Sequence, residues 1–198
     1  MKMNVFILLA AVFFDGLTLS AQTITDHENG KYSLSVGQVT LTVDASKGGK
    51  IISYRYDDKE ILSQTRIPNS FGSTFWTSPQ SEWNWPPVPE YDYKPFSAQI
   101  KDASLVLTGE KSPRFGYRVR KEFTANAKNQ SIEITYTLIN ESGETRKVAP
   151  WEISRVPNGG VLFFDSKEAT PANNMKGLPF EYKMKAAWYV LDEDQNHR

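Results

Sequence analysis

Apolar and polar residues alternate along most of this chain, and that pattern constrains its fold more than any other feature of the sequence. Val39, Leu41 and Val43 alternate with polar residues, as in a strand with one buried and one exposed face. Paired glycines in 47–50 predict a turn, because glycine readily adopts positive φ, and 51–56 returns as the partner strand. Many short strands without a long helix predict an all-β, antiparallel β-sandwich.

Further along, the chain contains a second predicted hairpin. Residues 132–138 place apolar side chains on one face, 140–144 form a turn, and 146–156 run back as the partner strand. Other segments with the composition of strands are 105–107, 117–123, 161–164 and 180–191, the last as one or two strands.

The first 21 residues predict a secretory signal peptide. Lys2 supplies the positive charge, 5–14 form a short apolar run, and small residues precede Gln22. We therefore expect cleavage near Ala21 and a single mature domain over 22–198, long enough to bury a core. The apolar run is shorter than the ~20 residues of a membrane span, so no span is expected after cleavage.

Cysteine content and net charge indicate in which compartment the protein resides and which classes of partner it binds. The chain has no cysteine, so it has no disulfide framework, which suits a secreted or periplasmic protein of a Gram-negative bacterium. Lys plus Arg and Asp plus Glu number 23 each, without a basic patch, which argues against a nucleic-acid partner. No metal or cofactor is predicted, because zinc-type spacings and phosphate-binding glycine motifs are missing. A calcium site formed by scattered carboxylates and carbonyls remains an alternative, because calcium needs only oxygen ligands.

Residues 71–95 carry three of the five tryptophans, Trp76, Trp83 and Trp85, together with five prolines. Because proline removes a backbone donor, this segment is predicted to be one long, stiffened loop. Aromatic faces beside polar groups suit a sugar, whose C–H faces are apolar and whose hydroxyls need partners. Alternatively, the rings fill one end of the sandwich core.

Two acidic residues in this aromatic segment are candidates for proton transfer. Glu82 is the better one, since it lies between Gln80 and Trp83, and Asp92 is the weaker one. A carboxylate packed against rings can have a raised pKa and act as an acid or base. The alternative is an ordinary hydrogen-bonded loop carboxylate.

Two stretches carry a family resemblance: 39–62, VTLTVDASKGGKIISYRYDDKEIL, and 132–156, which includes PWEISR. With FWTSPQSEWNWPP they resemble an uncharacterised secreted branch of the galactose mutarotase-like superfamily, over roughly residues 30–165. The resemblance implies a β-supersandwich whose concave face binds carbohydrate. Because catalytic members are longer, the supersandwich is expected to be shortened or incomplete.

The same resemblance implies where the family's chemistry would lie. Mutarotation needs a base and an acid with pKa values near the working pH. The typical acid is a histidine, whose place Trp151 takes here, and this chain's histidines are His27 and His197. Binding is therefore predicted in preference to turnover.

Strand alternation indicates which side chains of 151–155 act together. Trp151 and Arg155 project to one face, and Glu152 projects to the other. An arginine fork beside Trp151 suits a uronate carboxylate or vicinal hydroxyls. The alternatives are a surface salt bridge for Arg155 and a paired or solvated carboxylate for Glu152.

The function predicted from these residues is that of an exported carbohydrate-binding protein whose ligand is a mono- or oligosaccharide. The predicted ligand-binding residues are Trp76, Gln80, Trp83, Trp85, Trp151 and Arg155. A second hypothesis is an isomerase of the aldose 1-epimerase type, with Glu82 or Glu152 as its catalytic acid or base. A third is a structural or partner-binding β-sandwich module.

Overall fold

The computed structural model describes residues 22–65, 71–157, 159–166 and 180–190. The predicted signal peptide, 1–21, lies outside the described residues. The helices are a 3-10 turn, Gln80–Glu82, and α1, Pro89–Asp92. The strands are β1 (Thr23–Asp26), β2 (Lys31–Val36), β3 (Val39–Asp44), β4 (Lys50–Tyr56), β5 (Lys59–Glu60), β6 (Ser73–Ser78), β7 (Ser97–Lys101), β8 (Ser104–Thr108), β9 (Tyr117–Asn126), β10 (Ser131–Asn140), β11 (Ala149–Ser154), β12 (Val161–Asp165), β13 (Glu181–Lys183) and β14 (Ala186–Val190).

The strands form three antiparallel sheets. The larger sheet has the order β1-β2-β3-β4-β6-β11, with β5 paired to β4, and the smaller sheet has the order β10-β9-β8-β7. A third, terminal sheet has the order β12-β14-β13. The predicted all-β, antiparallel sandwich is confirmed. None of the helices in the described ranges has the length and apolar character needed to cross a membrane.

The core lies between the larger and the smaller sheet. Every second residue of β9 is buried along its whole length, as the alternation in its sequence predicts. Across the sandwich, the Phe75 ring stacks on Tyr136 with centroids 4.6 Å apart. Leu34, Leu105 and Phe123 are completely buried in the same cluster. Burial of each such side chain stabilises the fold by about 1.5–3 kcal/mol.

One charged side chain lies inside this core. The Lys121 ammonium donates to the carbonyl oxygens of Gly48 and Gly49, at 2.8 and 3.2 Å. Burial lowers the pKa of Lys121 to about 8, although the Glu152 carboxylate acts in the opposite direction. Lys121 therefore holds the turn between β3 and β4 from the inside of the sandwich.

The predicted hairpin of 132–138 with 146–156 is wrong. Strand β10 pairs with β9, from Ser131 opposite Asn126 to Asn140 opposite Tyr117, whereas β11 pairs with β6 in the other sheet. The segment between β10 and β11 crosses from one sheet to the other. Alternation of apolar and polar residues specifies which face of a strand is buried, but it does not specify the neighbouring strand. The sequence of β11 was therefore compatible with pairing to β10 or to β6.

The prediction that 71–95 is one long loop is also corrected. Residues 73–78 form β6, an interior strand between β4 and β11. The prolines of the segment begin only at Pro79, so β6 keeps all its backbone donors. The rest of the segment contains the 3-10 turn and α1, and Tyr91 of α1 reaches the smaller sheet, where its hydroxyl donates to the Tyr117 carbonyl oxygen at 2.8 Å.

Candidate functional site

Strands β6 and β11 set which aromatic side chains share a face. Phe75 points into the sandwich, where it stacks on Tyr136, so its neighbour Trp76 points to the outer face. Trp151 lies directly opposite Trp76 in the register of β11 with β6 and shares that face. We call the outer surface formed by Trp76, Trp83, Trp85 and Trp151 the tryptophan face.

Trp76 is the centre of the tryptophan face. Its ring meets Trp83, Trp85 and Trp151 edge-on, with centroids 5.9, 5.6 and 5.6 Å away. Such aromatic pairs each contribute about 0.5–1.5 kcal/mol beyond their area burial. The Trp83 indole N–H also donates to the Thr77 carbonyl oxygen at 2.9 Å. These contacts hold the loop that follows β6 in place over the sheet.

The four rings differ sharply in exposure. Trp76 and Trp83 are only 6% and 3% exposed, whereas Trp85 is 58% exposed and Trp151 is half-buried. The expectation that Trp76 and Trp83 stack directly on a ligand is therefore corrected, because their faces are covered by protein. They support Trp85 and Trp151, which retain accessible surface. Nothing in the sequence separates these roles, since they depend on how the loop folds back over β6.

Two ionisable side chains lie against this face. The Trp76 indole N–H donates to Asp92 Oδ1 at 2.7 Å, and Arg155 Nη1 donates to Thr74 Oγ1 at 3.0 Å. Thr74 shares the outer side of β6 with Trp76, so Arg155 lies on the side predicted for it. Burial lowers the pKa of Arg155, and the negative charge of Asp92 acts against that shift.

A pocket of about 380 Å³ opens beside Asp92 on the same side of the larger sheet. We call it the lysine pocket. It is lined by Lys31, Asp44, Lys47, Lys50, Ile52, Phe71, Thr74, Asp92 and Tyr93. Sequence reasoning missed this pocket because only the tertiary fold brings Lys47 and Lys50, which are close in the sequence, together with Lys31 and Asp92. Tyr93, at its rim, is 59% exposed.

Gly48 allows the close approach that forms one wall of the pocket. A Cβ at this position would lie 2.2 Å from the Asp92 carbonyl oxygen, and the backbone has φ +65°. The Gly48 N–H donates to the Lys94 carbonyl oxygen at 2.9 Å. The β3–β4 turn therefore packs directly on the end of α1, which sets the position of Asp92.

Glu152 lies on the opposite side of β11 from the tryptophan face, at an exposed position on the edge strand of the larger sheet. It accepts a hydrogen bond from the Ser73 hydroxyl, and it is hydrogen-bonded to Tyr136. Burial and, to a smaller extent, this carboxylate raise the pKa of Tyr136. The alternation that predicted opposite faces for Glu152 and Arg155 is confirmed. Glu152 is thus placed to offset the charge of Lys121 and does not line the pocket.

Glu82 and Gln80 belong to the short 3-10 turn after β6. The Glu82 carbonyl oxygen accepts from Arg114 Nη2 at 2.8 Å, and the Glu82 charge is one cause of the raised pKa of Tyr117, after burial. The Gln80 carbonyl oxygen accepts the backbone N–H groups of Trp83 and Asn84. Their backbone atoms therefore shape the loop, and the Gln80 side chain is exposed beside it.

Nowhere in the described part of the chain do three or more His, Asp or Glu side chains cluster as candidate metal ligands. His27 is instead hydrogen-bonded through Nε2 to the Ser33 hydroxyl at 2.7 Å. The tryptophan face and the lysine pocket adjoin each other through Trp76 and Asp92 and together form a candidate binding site. No protein-family model, no curated protein and no solved structure matches the chain.

Proposed function

We propose that this is an exported carbohydrate-binding protein that holds a sugar ring on the tryptophan face. The observation that carries the proposal is the pairing of an exposed ring, Trp85, with a rigid support: Trp85 is 58% exposed and meets the buried Trp76 edge-on at 5.6 Å. A pre-oriented ring loses little conformational entropy when it binds a ligand.

The surroundings of Trp85 match the chemistry of a saccharide. The C–H face of a sugar is apolar and packs on an aromatic ring, while its hydroxyls need donors and acceptors. Arg155 supplies donors, and the Asp92 carboxylate and the Tyr93 hydroxyl supply acceptors at the rim of the pocket. A pocket of about 380 Å³ lies within the usual range for small-molecule sites, about 300–1,000 Å³.

Export is the part of the proposal that rests on the sequence alone. The segment 1–21 has the composition of a signal peptide, and the chain contains no cysteine. The resemblance of 39–62 and 132–156 to the galactose mutarotase-like superfamily also rests on the sequence alone, and it supports a carbohydrate ligand.

Binding without turnover is favoured by the position of Glu152. An acid or base must reach the proton that it transfers in a plausible substrate pose, and Glu152, although exposed, is hydrogen-bonded to Ser73 on the opposite side of β11 from the tryptophan face. Polarimetry with aldoses and uronates tests this. Anomer interconversion above the buffer rate that is lost in Glu82→Gln or Glu152→Gln would replace the binding proposal with the aldose 1-epimerase hypothesis.

The direct test of the proposal is calorimetric titration of the mature chain with neutral and acidic oligosaccharides. We expect Trp85→Ala to lower the affinity about tenfold, which is the size of one aromatic contact. Tyr56→Ala is the matched control, because Tyr56 is also exposed, at 52%, but lies outside the tryptophan face. An unchanged affinity in Trp85→Ala contradicts the proposal. Self-association that Trp85→Ala abolishes, in a protein that binds no saccharide, would support the partner-binding hypothesis instead.

A further inference from the structure

The lysine pocket has an excess of positive charge at its lining and rim. Two carboxylates line it, those of Asp44 and Asp92. The cations around it are Lys31, Lys47 and Lys50 in the lining and Arg155 at the rim. Strands β2, β4, the β3–β4 turn and the segment after β11 each contribute one of these cations, so the cluster is a product of the tertiary fold.

The two carboxylates are already engaged by uncharged donors. Asp44 Oδ1 accepts both the backbone N–H and the hydroxyl of Ser46, at 3.0 and 2.5 Å. Asp92 Oδ1 accepts the indole N–H of Trp76 at 2.7 Å. Among the described residues, Lys31 and Lys47 form no ion pair with a carboxylate within 4 Å. The positive charge of the pocket is therefore only partly balanced by the protein.

Arg155 is a partly buried cation. Its guanidinium is hydrogen-bonded to the Thr74 hydroxyl and to the Ile153 carbonyl oxygen, which are neutral acceptors. Burial is the main reason that its pKa lies below the ordinary value. A partly buried cation without a carboxylate in direct contact gains more from a bound anion than an exposed one does.

We infer that the ligand is an acidic saccharide, whose carboxylate or sulfate ester binds in the lysine pocket while a neighbouring sugar ring lies on Trp85. The inference rests on the proposed function and names the class of saccharide. Trp76 joins the two surfaces, because it contacts the Trp85 ring and donates to Asp92 at the pocket. An anionic group and a ring of one ligand can therefore reach both surfaces together.

Three oligosaccharides of equal length test the inference: an oligogalacturonate, a galactose oligomer carrying sulfate esters, and the unmodified galactose oligomer. We expect at least one acidic oligomer to bind about tenfold more tightly than the neutral one. Its advantage should shrink as the NaCl concentration rises, because salt screens exposed charges. The acid that binds more tightly identifies the source of the anion, carboxylate or sulfate.

Substitutions in the pocket locate the effect. Lys31→Gln/Lys47→Gln keeps part of each aliphatic stem and removes two charges, so the affinity for the acidic oligomer should fall about tenfold and that for the neutral oligomer about twofold or less. Lys101→Gln is the control, since Lys101 is an exposed lysine on β7 of the smaller sheet. Lys47→Arg should restore most of the preference that Lys47→Gln loses, because it restores the charge.

Four outcomes would overturn this inference, and one of them would overturn the proposed function as well. Equal affinity for the acidic and neutral oligomers overturns the inference and leaves the carbohydrate proposal standing. A glutamate oligopeptide that binds as tightly as the acidic oligomers overturns it too, because the site would then recognise charge alone. If none of the three oligosaccharides binds, both proposals are wrong. A loss of acidic preference in Lys101→Gln equal to that in the pocket variant also contradicts the inference.

Discussion

The indole N–H of Trp76 donates a hydrogen bond to Asp92 Oδ1 over 2.7 Å. Trp76 lies in the middle of β6 and Asp92 ends α1, so this one bond ties the larger sheet to the segment that covers it. Because Trp76 is only 6% exposed, water cannot easily replace the bond. The contact also marks the boundary between the tryptophan face and the lysine pocket.

Replacing Trp76 with phenylalanine removes this donor and leaves much of the aromatic packing. We expect Trp76→Phe to lower the free energy of unfolding by about 2–3 kcal/mol, because a charged acceptor loses its donor and the smaller ring leaves a gap. Urea denaturation measures this. Trp188→Phe is the control: its N–H donates to the Lys183 carbonyl oxygen at an exposed position, and a change there as large as in Trp76→Phe would contradict the explanation.

A substitution at Gly48 tests how much the close packing of the β3–β4 turn on α1 contributes to stability. Gly48→Ala should destabilise the protein by about 3 kcal/mol, since positive φ and a clash with the Asp92 carbonyl oxygen act together. Gly143 also has positive φ, +75°, but a Cβ there would meet no atom within 4 Å. Gly143→Ala should therefore report the backbone strain alone, about 1 kcal/mol. If thermal unfolding shows the same loss of stability in Gly48→Ala and Gly143→Ala, the contact with Asp92 does not contribute to stability.

The buried Lys121 predicts how stability depends on pH. Its pKa is about 8 in the folded chain and 10.5 ordinarily, so between these values the unfolded chain binds more protons. The free energy of unfolding should then rise by about 2 kcal/mol between pH 8 and 10, and be insensitive to this group below pH 8.

Tyrosines with raised pKa values limit that rise at higher pH. Burial raises the pKa of Tyr91, Tyr117 and Tyr136, so above pH 10 the unfolded chain loses protons first and the free energy of unfolding falls. Comparing the wild type with Lys121→Met isolates the lysine, because the tyrosines are common to both. A pH profile of the variant that rises as steeply as that of the wild type between pH 8 and 10 would falsify this assignment.

Glu152 is expected to act through Lys121 and not through a ligand. Glu152→Gln retains an acceptor for the Ser73 hydroxyl but removes the charge that favours protonated Lys121. At pH 7 we expect a loss of about 1 kcal/mol in the free energy of unfolding, with saccharide affinity unchanged. The same substitution in a Lys121→Met background should have a much smaller effect. A large loss of saccharide affinity would instead place Glu152 in the binding site.

Several elements of the fold follow from local sequence. The Gly48-Gly49 turn, the hairpin of β3 with β4 and the alternation in β9 are all predicted, because side chains of neighbouring residues in a strand point to opposite faces. The same rule correctly places Glu152 on the opposite side from Trp151 and Arg155. These are short-range properties, and no other part of the chain is needed to read them.

Pairing and burial required the tertiary structure. Strand β11 pairs with β6 across more than 70 positions of sequence, and no local pattern distinguishes that partner from β10. The roles of Trp76 and Trp85 differ for the same reason, since a loop covers one ring and leaves the other exposed. Sequence alone determined strands such as β3, β4 and β9, the faces of their side chains and the candidate aromatic residues. Only the folded chain decided which strands pair, which rings remain exposed and that Asp92 lines a pocket with Lys31, Lys47 and Lys50. Those outcomes depend on packing between segments that are separated in sequence.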